Sequence, residues 1–148
     1  DSLLPLARLY NLERELDQAL QEKIWLKSGG FLIIQQTEAF VAIDVNTGKH
    51  SSKKDAEENY KQINREAALE IARQLRLRNL SGMILVDFIN MKNTNDQSEL
   101  LQYMGSLVRS DPMQTVVVDV TALGIMEITR KKSAKTLAEQ LLQLKKGE

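Results

Sequence analysis

Leucine side chains recur at three- and four-residue intervals near the start of the chain. This spacing places them on one stripe of an amphipathic helix, which we predict from about Leu4 to Glu22. Three runs of β-forming residues follow at positions 23–26, 31–35 and 38–46, and a turn with two glycines separates the first two runs. The pattern therefore predicts a helix followed by an antiparallel meander of three strands.

Two helices with a strand between them are predicted in the middle of the chain. Ser52 and Asp55 have the spacing of a capping box, and the apolar stripe after them predicts a helix to about Arg78. A β-rich run follows at residues 83–88. The next apolar stripe predicts a second helix, with Thr94 as its N-cap.

The last part of the chain contains two β-rich runs, at residues 115–121 and 125–129, and then a leucine stripe that predicts a terminal helix. A meander followed by alternating helices and strands predicts an α/β fold, with a mixed β-sheet and flanking helices. We expect the later strands to pair in parallel through crossover connections. Their carboxyl ends then lie along one edge of the sheet, where ligands bind in open α/β sheets.

Two of the predicted strands end on an aspartate, Asp44 in one and Asp87 in the other. An ionised carboxylate at the end of a buried strand loses hydration, which a cation, hydrogen bonds or solvent must offset. Alternate residues of a strand share a face, so Asn46 lies beside Asp44. Two carboxylates and an amide are hard oxygen ligands that suit Mg²⁺. The alternative is that each aspartate caps the next turn or helix without any metal.

Composition narrows the classes of protein and site. The 148 residues are 43% hydrophobic and 27% charged, which is typical of one globular domain. Twenty basic and twenty acidic residues cancel, so no overall positive field indicates nucleic-acid binding. The chain has no cysteine and one histidine, which excludes disulfides and the usual zinc ligand sets and favours a cytoplasmic protein. No apolar run is long enough for a membrane segment.

A series of motifs covers nearly the whole chain. They are WLKSGG at 25–30, QTEA at 36–39, IDVNTGK at 43–49, NREAA at 64–68, EIARQLRLRNL at 70–80, VDFI at 86–89 and LGIMEITR at 123–130. In this order they resemble the catalytic core of the bacterial ribonuclease E/G family. The resemblance implies a DNase I-like subdomain that cleaves single-stranded RNA during RNA processing, including rRNA processing, and RNA decay.

The resemblance also implies a cofactor and site residues. The family is Mg²⁺-dependent, with Mn²⁺ as a possible substitute, and its metal-binding aspartates correspond to Asp44 and Asp87. The asparagine that supports the first aspartate corresponds to Asn46. These three residues are the expected catalytic set, and the two aspartates are the expected metal ligands.

The same resemblance suggests how the chain is organised. Residues 1–22 would link from an upstream region, residues 23–130 would form the DNase I-like catalytic subdomain, and residues 131–148 would form a basic C-terminal helix. Because residue 1 is Asp and no signal peptide follows, we expect a piece of a longer protein. The upstream S1-like and 5′-sensor regions of the family would then lie outside it, and assembly into a homo-oligomer stays open.

Several further residues have two interpretations each. Three lysines after the first aspartate are either RNA phosphate contacts or part of a solvated loop, with neither favoured: Lys49, Lys53 and Lys54. Asp119 ends another strand, where an additional ligand role is the less favoured interpretation. Trp25 and Tyr103 have the chemistry to stack on bases, but isolated aromatic residues are more often part of the core.

Two positions depart from the family pattern. Ala122 stands where family members often have an arginine, and Asn90 stands where a second acid is common after Asp87. Both changes reduce the charge available for metal or phosphate. The alternative function is therefore a non-catalytic RNA-binding or assembly module that retains the fold.

Overall fold

The computed structural model describes residues 3–48, 55–132 and 135–147. Within these ranges the chain forms one six-stranded sheet and four helices. The elements are α1 (Leu3–Ala19), β1 (Lys23–Trp25), β2 (Phe31–Gln36), β3 (Val41–Asn46), α2 (Ala56–Leu77), β4 (Gly82–Asp87), α3 (Thr94–Arg109), β5 (Thr115–Val120), β6 (Met126–Arg130) and α4 (Leu137–Lys146).

The sheet has the strand order β1-β2-β3-β4-β6-β5. The first three strands pair in antiparallel register, as the meander prediction required. β3 and β4 then pair in parallel, and α2 connects them. The mixed sheet with flanking helices is confirmed.

One part of the predicted topology is wrong. β5 does not pair with β4, because β6 lies between them and is antiparallel to both. The reason is the short turn around Gly124, which has a φ of +87° and reverses the chain directly after β5. The hairpin returns β6 to the edge of β4, so the expected parallel pairing is limited to β3 and β4.

Two local boundaries also differ from the prediction. The strand expected from residue 38 begins at Val41, because Thr37 closes a tight turn through its hydroxyl, which donates to the Phe40 carbonyl at 2.6 Å. The N-cap of α3 is Asn93 rather than Thr94, since the Asn93 side chain accepts from the backbone amide of Asn95 at 2.8 Å. The N-cap of α2 is Asp55, with no cap hydrogen bond from its side chain, so Asp55 is not at the third helical position that the predicted capping box requires. Ser52 lies outside the described residues.

The hydrophobic core lies on one side of the sheet, under α2 and α3. Alternate strand residues such as Leu32, Ile43 and Val86 are buried there against Ile71 of α2 and Met104 of α3. The opposite side of the sheet, called the open face below, carries exposed side chains from several strands. They include Trp25, Asp44, Met83, Asp87 and Val116.

A buried ion pair joins β6 to the connection between α3 and β5, at the end of the sheet where β4 begins. Arg130 Nε donates to Asp111 Oδ2 at 2.8 Å, and both side chains are almost fully buried. Arg130 also donates to the Asn79 side chain and to the Leu80 carbonyl. Burial alone would raise the pKa of the Asp111 carboxyl, but hydrogen bonds from Arg130, Met113 and Thr115 outweigh it and hold that pKa below its usual value.

Candidate metal centre

Asp44 and Asp87 are direct register partners on the two parallel strands β3 and β4. Adjacent strands lie about 4.8 Å apart, and register partners project from the same side of a sheet. Both carboxylates are exposed on the open face, while their neighbours Ile43 and Val86 are buried on the helical side. Two carboxylates are therefore held side by side by main-chain pairing alone.

Asn46 completes this group from the same strand as Asp44. Its Nδ2 donates to Asp44 Oδ2 at 3.1 Å. This bond orients one carboxylate and leaves its other oxygen for a ligand. The amide oxygen of Asn46 is a further acceptor on the same face.

The electrostatics of the pair disfavour two negative charges. Partial burial, and then the negative charge of Asp44, raise the pKa of the Asp87 carboxyl above its usual value. A cation between the two carboxylates offsets both effects.

The donor set fits a hard divalent cation with many waters. Within residues 3–48, 55–132 and 135–147, no cluster of three or more acidic, histidine or cysteine side chains is arranged to hold a metal ion. Two carboxylates with a neighbouring amide match Mg²⁺, which takes few protein ligands and keeps much of its water shell. They do not match zinc, which prefers nitrogen and sulfur ligands.

The end of β3 is packed closely against the turn between β1 and β2. A Cβ on Gly30 would lie 2.8 Å from the Asn46 carbonyl oxygen and 2.9 Å from Ile63 Cγ2. Ser28 in the same turn donates through its backbone amide, at 3.1 Å, and through its hydroxyl to the Glu66 carboxylate of α2. The WLKSGG motif therefore forms a turn that supports the strand end carrying Asn46.

A second contact from α2 holds the loop after β4. The fully buried Asn64 side chain makes two hydrogen bonds to the backbone of Ile89, two residues beyond Asp87. Asn64 and Glu66, which belong to one motif in the sequence, thus hold the loop after β4 and the turn between β1 and β2, respectively. In the sequence Asn64 is an amide within the apolar stripe of a helix, a pattern that does not identify its partner.

Comparison with known proteins identifies the family. The family model described as Ribonuclease E/G family matches residues 1–133. The chain belongs to the ribonuclease E/G family. It is 40% identical over 137 residues to Ribonuclease G of Escherichia coli (strain K12), and the match covers 93% of this chain and 28% of that relative.

Two further relatives show the same extent of similarity. Ribonuclease E of Nostoc sp. (strain PCC 7120) is 39% identical over 135 residues, which are 91% of this chain and 20% of that protein. Ribonuclease G of Haemophilus influenzae is 40% identical over 137 residues. The chain spans less than a third of the length of these ribonuclease E/G relatives.

A cavity of about 500 Å³ lies beside Asp87 in this ribonuclease E/G family member. It is bordered by the loop after β4, the start of α3 and the turn between β5 and β6. Asn90 and Ala122, the two positions where we expect a departure from the family pattern, both line it. They therefore lie next to one of the two carboxylates.

The other charged candidate residues do not lie beside the carboxylate pair in the described part of the chain. The three lysines interpreted either as RNA contacts or as part of a solvated loop lie outside the described residues: Lys49, Lys53 and Lys54. Asp119 is two strands away from β4, in register with Glu127, and accepts a hydrogen bond from the Val120 amide at 2.7 Å. It does not join the carboxylate pair.

The two aromatic residues behave differently from each other. Tyr103 packs at the border of the core, with the Arg65 guanidinium 4.1 Å from its ring centroid. Trp25 is 63% exposed on the open face, so its interpretation as a core residue is wrong. Trp25 projects opposite to its neighbour Ile24, which packs against the core.

Among the described residues, no helix is both long and apolar enough to cross a bilayer.

Proposed function

We propose that this chain is the catalytic core of an Mg²⁺-dependent endoribonuclease that cleaves single-stranded RNA. The observation that supports the proposal most directly is the register pairing of Asp44 with Asp87, with Asn46 bonded to the first carboxylate. Family membership supports RNA as the substrate class. The relatives named Ribonuclease G and Ribonuclease E support cleavage as the reaction.

The carboxylate pair needs a cation before the scissile phosphate can occupy the site. Two unit charges of the same sign repel each other, and an RNA phosphate would add a third negative charge beside Asp44 and Asp87. Asp44 and Asp87 would hold Mg²⁺, or Mn²⁺ in its place. When bound, this ion supplies charge neutralisation at a non-bridging phosphate oxygen and lowers the pKa of a coordinated water.

The protein's own groups have defined roles in this proposal. Asp44 and Asp87 provide the negative site, and Asn46 Nδ2 fixes the orientation of the Asp44 carboxylate. The open face leaves both carboxylates accessible to an extended strand. Attack by water on the phosphodiester would give a 3′-hydroxyl and a 5′-phosphate.

The decisive experiment compares three aspartate variants. Cleavage of a labelled single-stranded RNA in Mg²⁺ should be abolished in Asp44→Asn and Asp87→Asn. The matched control is Asp119→Asn, an exposed strand aspartate two strands away, which should cleave like the parent. Intact cleavage in both site variants would exclude the proposed mechanism. Mn²⁺ titration with paramagnetic broadening of amide NMR signals should locate the ion at the same residues.

A second candidate function is a non-catalytic RNA-binding or assembly module. It is favoured by the position of Asn90 and Ala122, which both line the cavity beside Asp87 and remove charge expected there. In this case the aspartate variants would bind RNA as well as the parent, and none would cleave it. Metal-dependent turnover by the parent would rule this candidate out.

The same proposal covers regions outside this chain, the location of the protein and its assembly. Because the chain spans only part of its relatives, RNA-binding and 5′-sensing regions would lie in segments outside it. We place the protein in the cytoplasm because its sequence has no cysteine. The proposed function also allows assembly into a homo-oligomer.

A further inference from the structure

Trp25, Phe31 and Asn46 form one row across the first three strands. Trp25 pairs in register with Phe31, and Phe31 pairs with Asn46. Register partners share a side of the sheet, so all three side chains project from the open face. This row is adjacent to the one that contains Asp44 and Asp87.

The aromatic end of this row is an ordered cluster with a positive charge. The ring centroids of Trp25 and Phe31 are 5.2 Å apart, with an interplanar angle of 59°. Lys23 Nζ lies 4.2 Å from both centroids. Cation–π contacts of this kind hold a lysine and its rings in a fixed arrangement.

Packing of the core does not account for this cluster. Ile24, between Lys23 and Trp25, points to the helical side and packs against the core. Trp25 remains 63% exposed, although indole is among the side chains that gain most from burial. Exposed aromatic rings beside a cation are the usual platform for single-stranded nucleic acid, because every base has a π-face and every nucleotide a phosphate.

We propose that Trp25 is a stacking platform for a nucleobase of the RNA strand, with Lys23 contacting the adjacent phosphate. This inference rests on the proposed function, because it requires that one RNA strand contact both Trp25 and the carboxylate pair. Trp25 is two strands from Asn46 and three from Asp87, or roughly 10 Å and 14 Å at the usual strand spacing. The stacked base is therefore a few nucleotides from the scissile phosphate.

The chain offers a direct reporter, since Trp25 is its one tryptophan. A uridine oligomer is titrated into the protein in the presence of a chelator, so that the RNA binds without being cleaved. Stacking should quench the Trp25 fluorescence to saturation. An abasic ribose-phosphate oligomer of the same length should leave the fluorescence nearly unchanged, because it has the charge but no π-face.

Variants then separate stacking from apolar contact. With labelled RNA, Trp25→Leu should bind between about fivefold and about a hundredfold more weakly, as loss of one stacked base predicts. Trp25→Phe should restore most of the affinity. The matched control is Leu69→Ala, which removes an exposed apolar side chain from α2 and should bind like the parent. Lys23→Gln should reduce the slope of log affinity against log salt by about 0.7.

The outcomes distinguish this inference from the proposed function. Asp44→Asn and Asp87→Asn should retain the fluorescence quenching while they lose cleavage. Unquenched Trp25 together with normal RNA cleavage would overturn the platform and leave the nuclease proposal standing. Quenching in the parent together with no RNA cleavage by the parent would support the platform and overturn the nuclease. A fluorescence change that depends on protein concentration, with no effect of RNA, would assign the surface to a second copy of the chain and overturn the platform.

Discussion

The Asn64 side chain makes the two hydrogen bonds to the Ile89 backbone that a neighbouring strand would otherwise provide. Its Nδ2 donates to the Ile89 carbonyl at 2.8 Å, and its Oδ1 accepts from the Ile89 amide at 2.9 Å. Ile89 follows the end of β4, where the ladder no longer supplies partners. The helix that connects the two aspartate strands therefore also fixes the path of the chain beyond Asp87.

Asn64→Leu keeps the side-chain volume and removes both hydrogen bonds. Two peptide groups of Ile89 lose their partners, so the free energy of unfolding should fall by about 1–3 kcal/mol. Mn²⁺ affinity should fall as well, because the loop after Asp87 is no longer held. Urea unfolding and Mn²⁺ titration at a temperature where the variant is fully folded measure the two effects. Gln62→Leu, an exposed change on the same helix, is the control. Equal stability of Asn64→Leu and the parent would contradict this role.

Two glycine substitutions should have opposite effects on thermal stability. Gly30→Ala forces a methyl group against the Asn46 carbonyl and Ile63, and overpacking of this kind lowers stability by about 1–3 kcal/mol. Gly105 lies within α3 and has open space around a new Cβ, so Gly105→Ala should raise stability by up to about 1 kcal/mol. Differential scanning calorimetry of both variants checks the pair. A stabilised Gly30→Ala would show that the turn does not press on β3.

The raised pKa of Asp87 predicts a pH-dependent penalty in the metal-free protein. A carboxyl whose pKa is higher in the folded state contributes most to stability when protonated. This contribution is lost as pH rises from the unfolded pKa of about 3.9 through the raised folded pKa. At higher pH, Asp87 causes no further change in stability. Asp87→Asn should therefore be more stable than the parent at pH 7, by less than about 1 kcal/mol because the site is exposed.

Divalent ions should reverse this order of stability. If Mg²⁺ binds the folded parent as proposed, it should raise the parent's melting temperature, whereas Asp87→Asn lacks a ligand and should gain little. Thermal melts at pH 3 and pH 7, with and without Mg²⁺, make the comparison, and Asp119→Asn serves as the exposed-aspartate control. If Asp87→Asn is less stable than the parent at pH 7 without Mg²⁺, this result contradicts the raised pKa assigned to Asp87.

The Asp111–Arg130 pair should be a main source of acid sensitivity. Asp111→Ala leaves a buried guanidinium without its carboxylate, which should lower the free energy of unfolding by about 3–5 kcal/mol. The lowered pKa of Asp111 means that its contribution is complete above pH of about 3.9 and is lost as pH falls through the folded value. Denaturant unfolding between pH 2 and pH 7 measures both effects.

A surface ion pair provides the comparison for this prediction. Arg73 and Glu70 are 2.9 Å apart, but the Arg73 side chain is 62% exposed. Arg73→Ala should therefore change stability by less than about 1 kcal/mol. A similar loss in both variants would mean that burial of the Asp111–Arg130 pair does not determine its effect.

Local spacing predicted the elements well but not all of their neighbours. The apolar stripe of α2 and the alternation of Val41 to Asn46 follow directly from the 3.6- and two-residue periods. The position of β6 between β4 and β5 was missed, because a short β-rich run does not indicate which strand edge it joins. That choice depends on the hairpin turn at Gly124 and on the free edge of β4.

The candidate site was predicted in part for similar reasons. Asp44, Asn46 and Asp87 were identifiable because polar residues interrupt apolar strand patterns. Asn64 was not, since an amide in a helical stripe has no fixed meaning until its partner is known, and Ile89 is distant in sequence. Trp25 was misassigned because a three-residue edge strand gives too little alternation to show which side an aromatic residue faces.

The close spacing of the carboxylate pair depends on the exact parallel register of β3 and β4. Side chains alternate with each residue, so a shift of one position would turn one carboxylate toward α2 and α3 and leave the other alone. A shift of two positions would keep both carboxylates on the open face, but as diagonal neighbours about 7–8 Å apart. If the pair holds a metal ion as proposed, metal affinity should therefore report the alignment of β3 with β4, and should be highest in the native register.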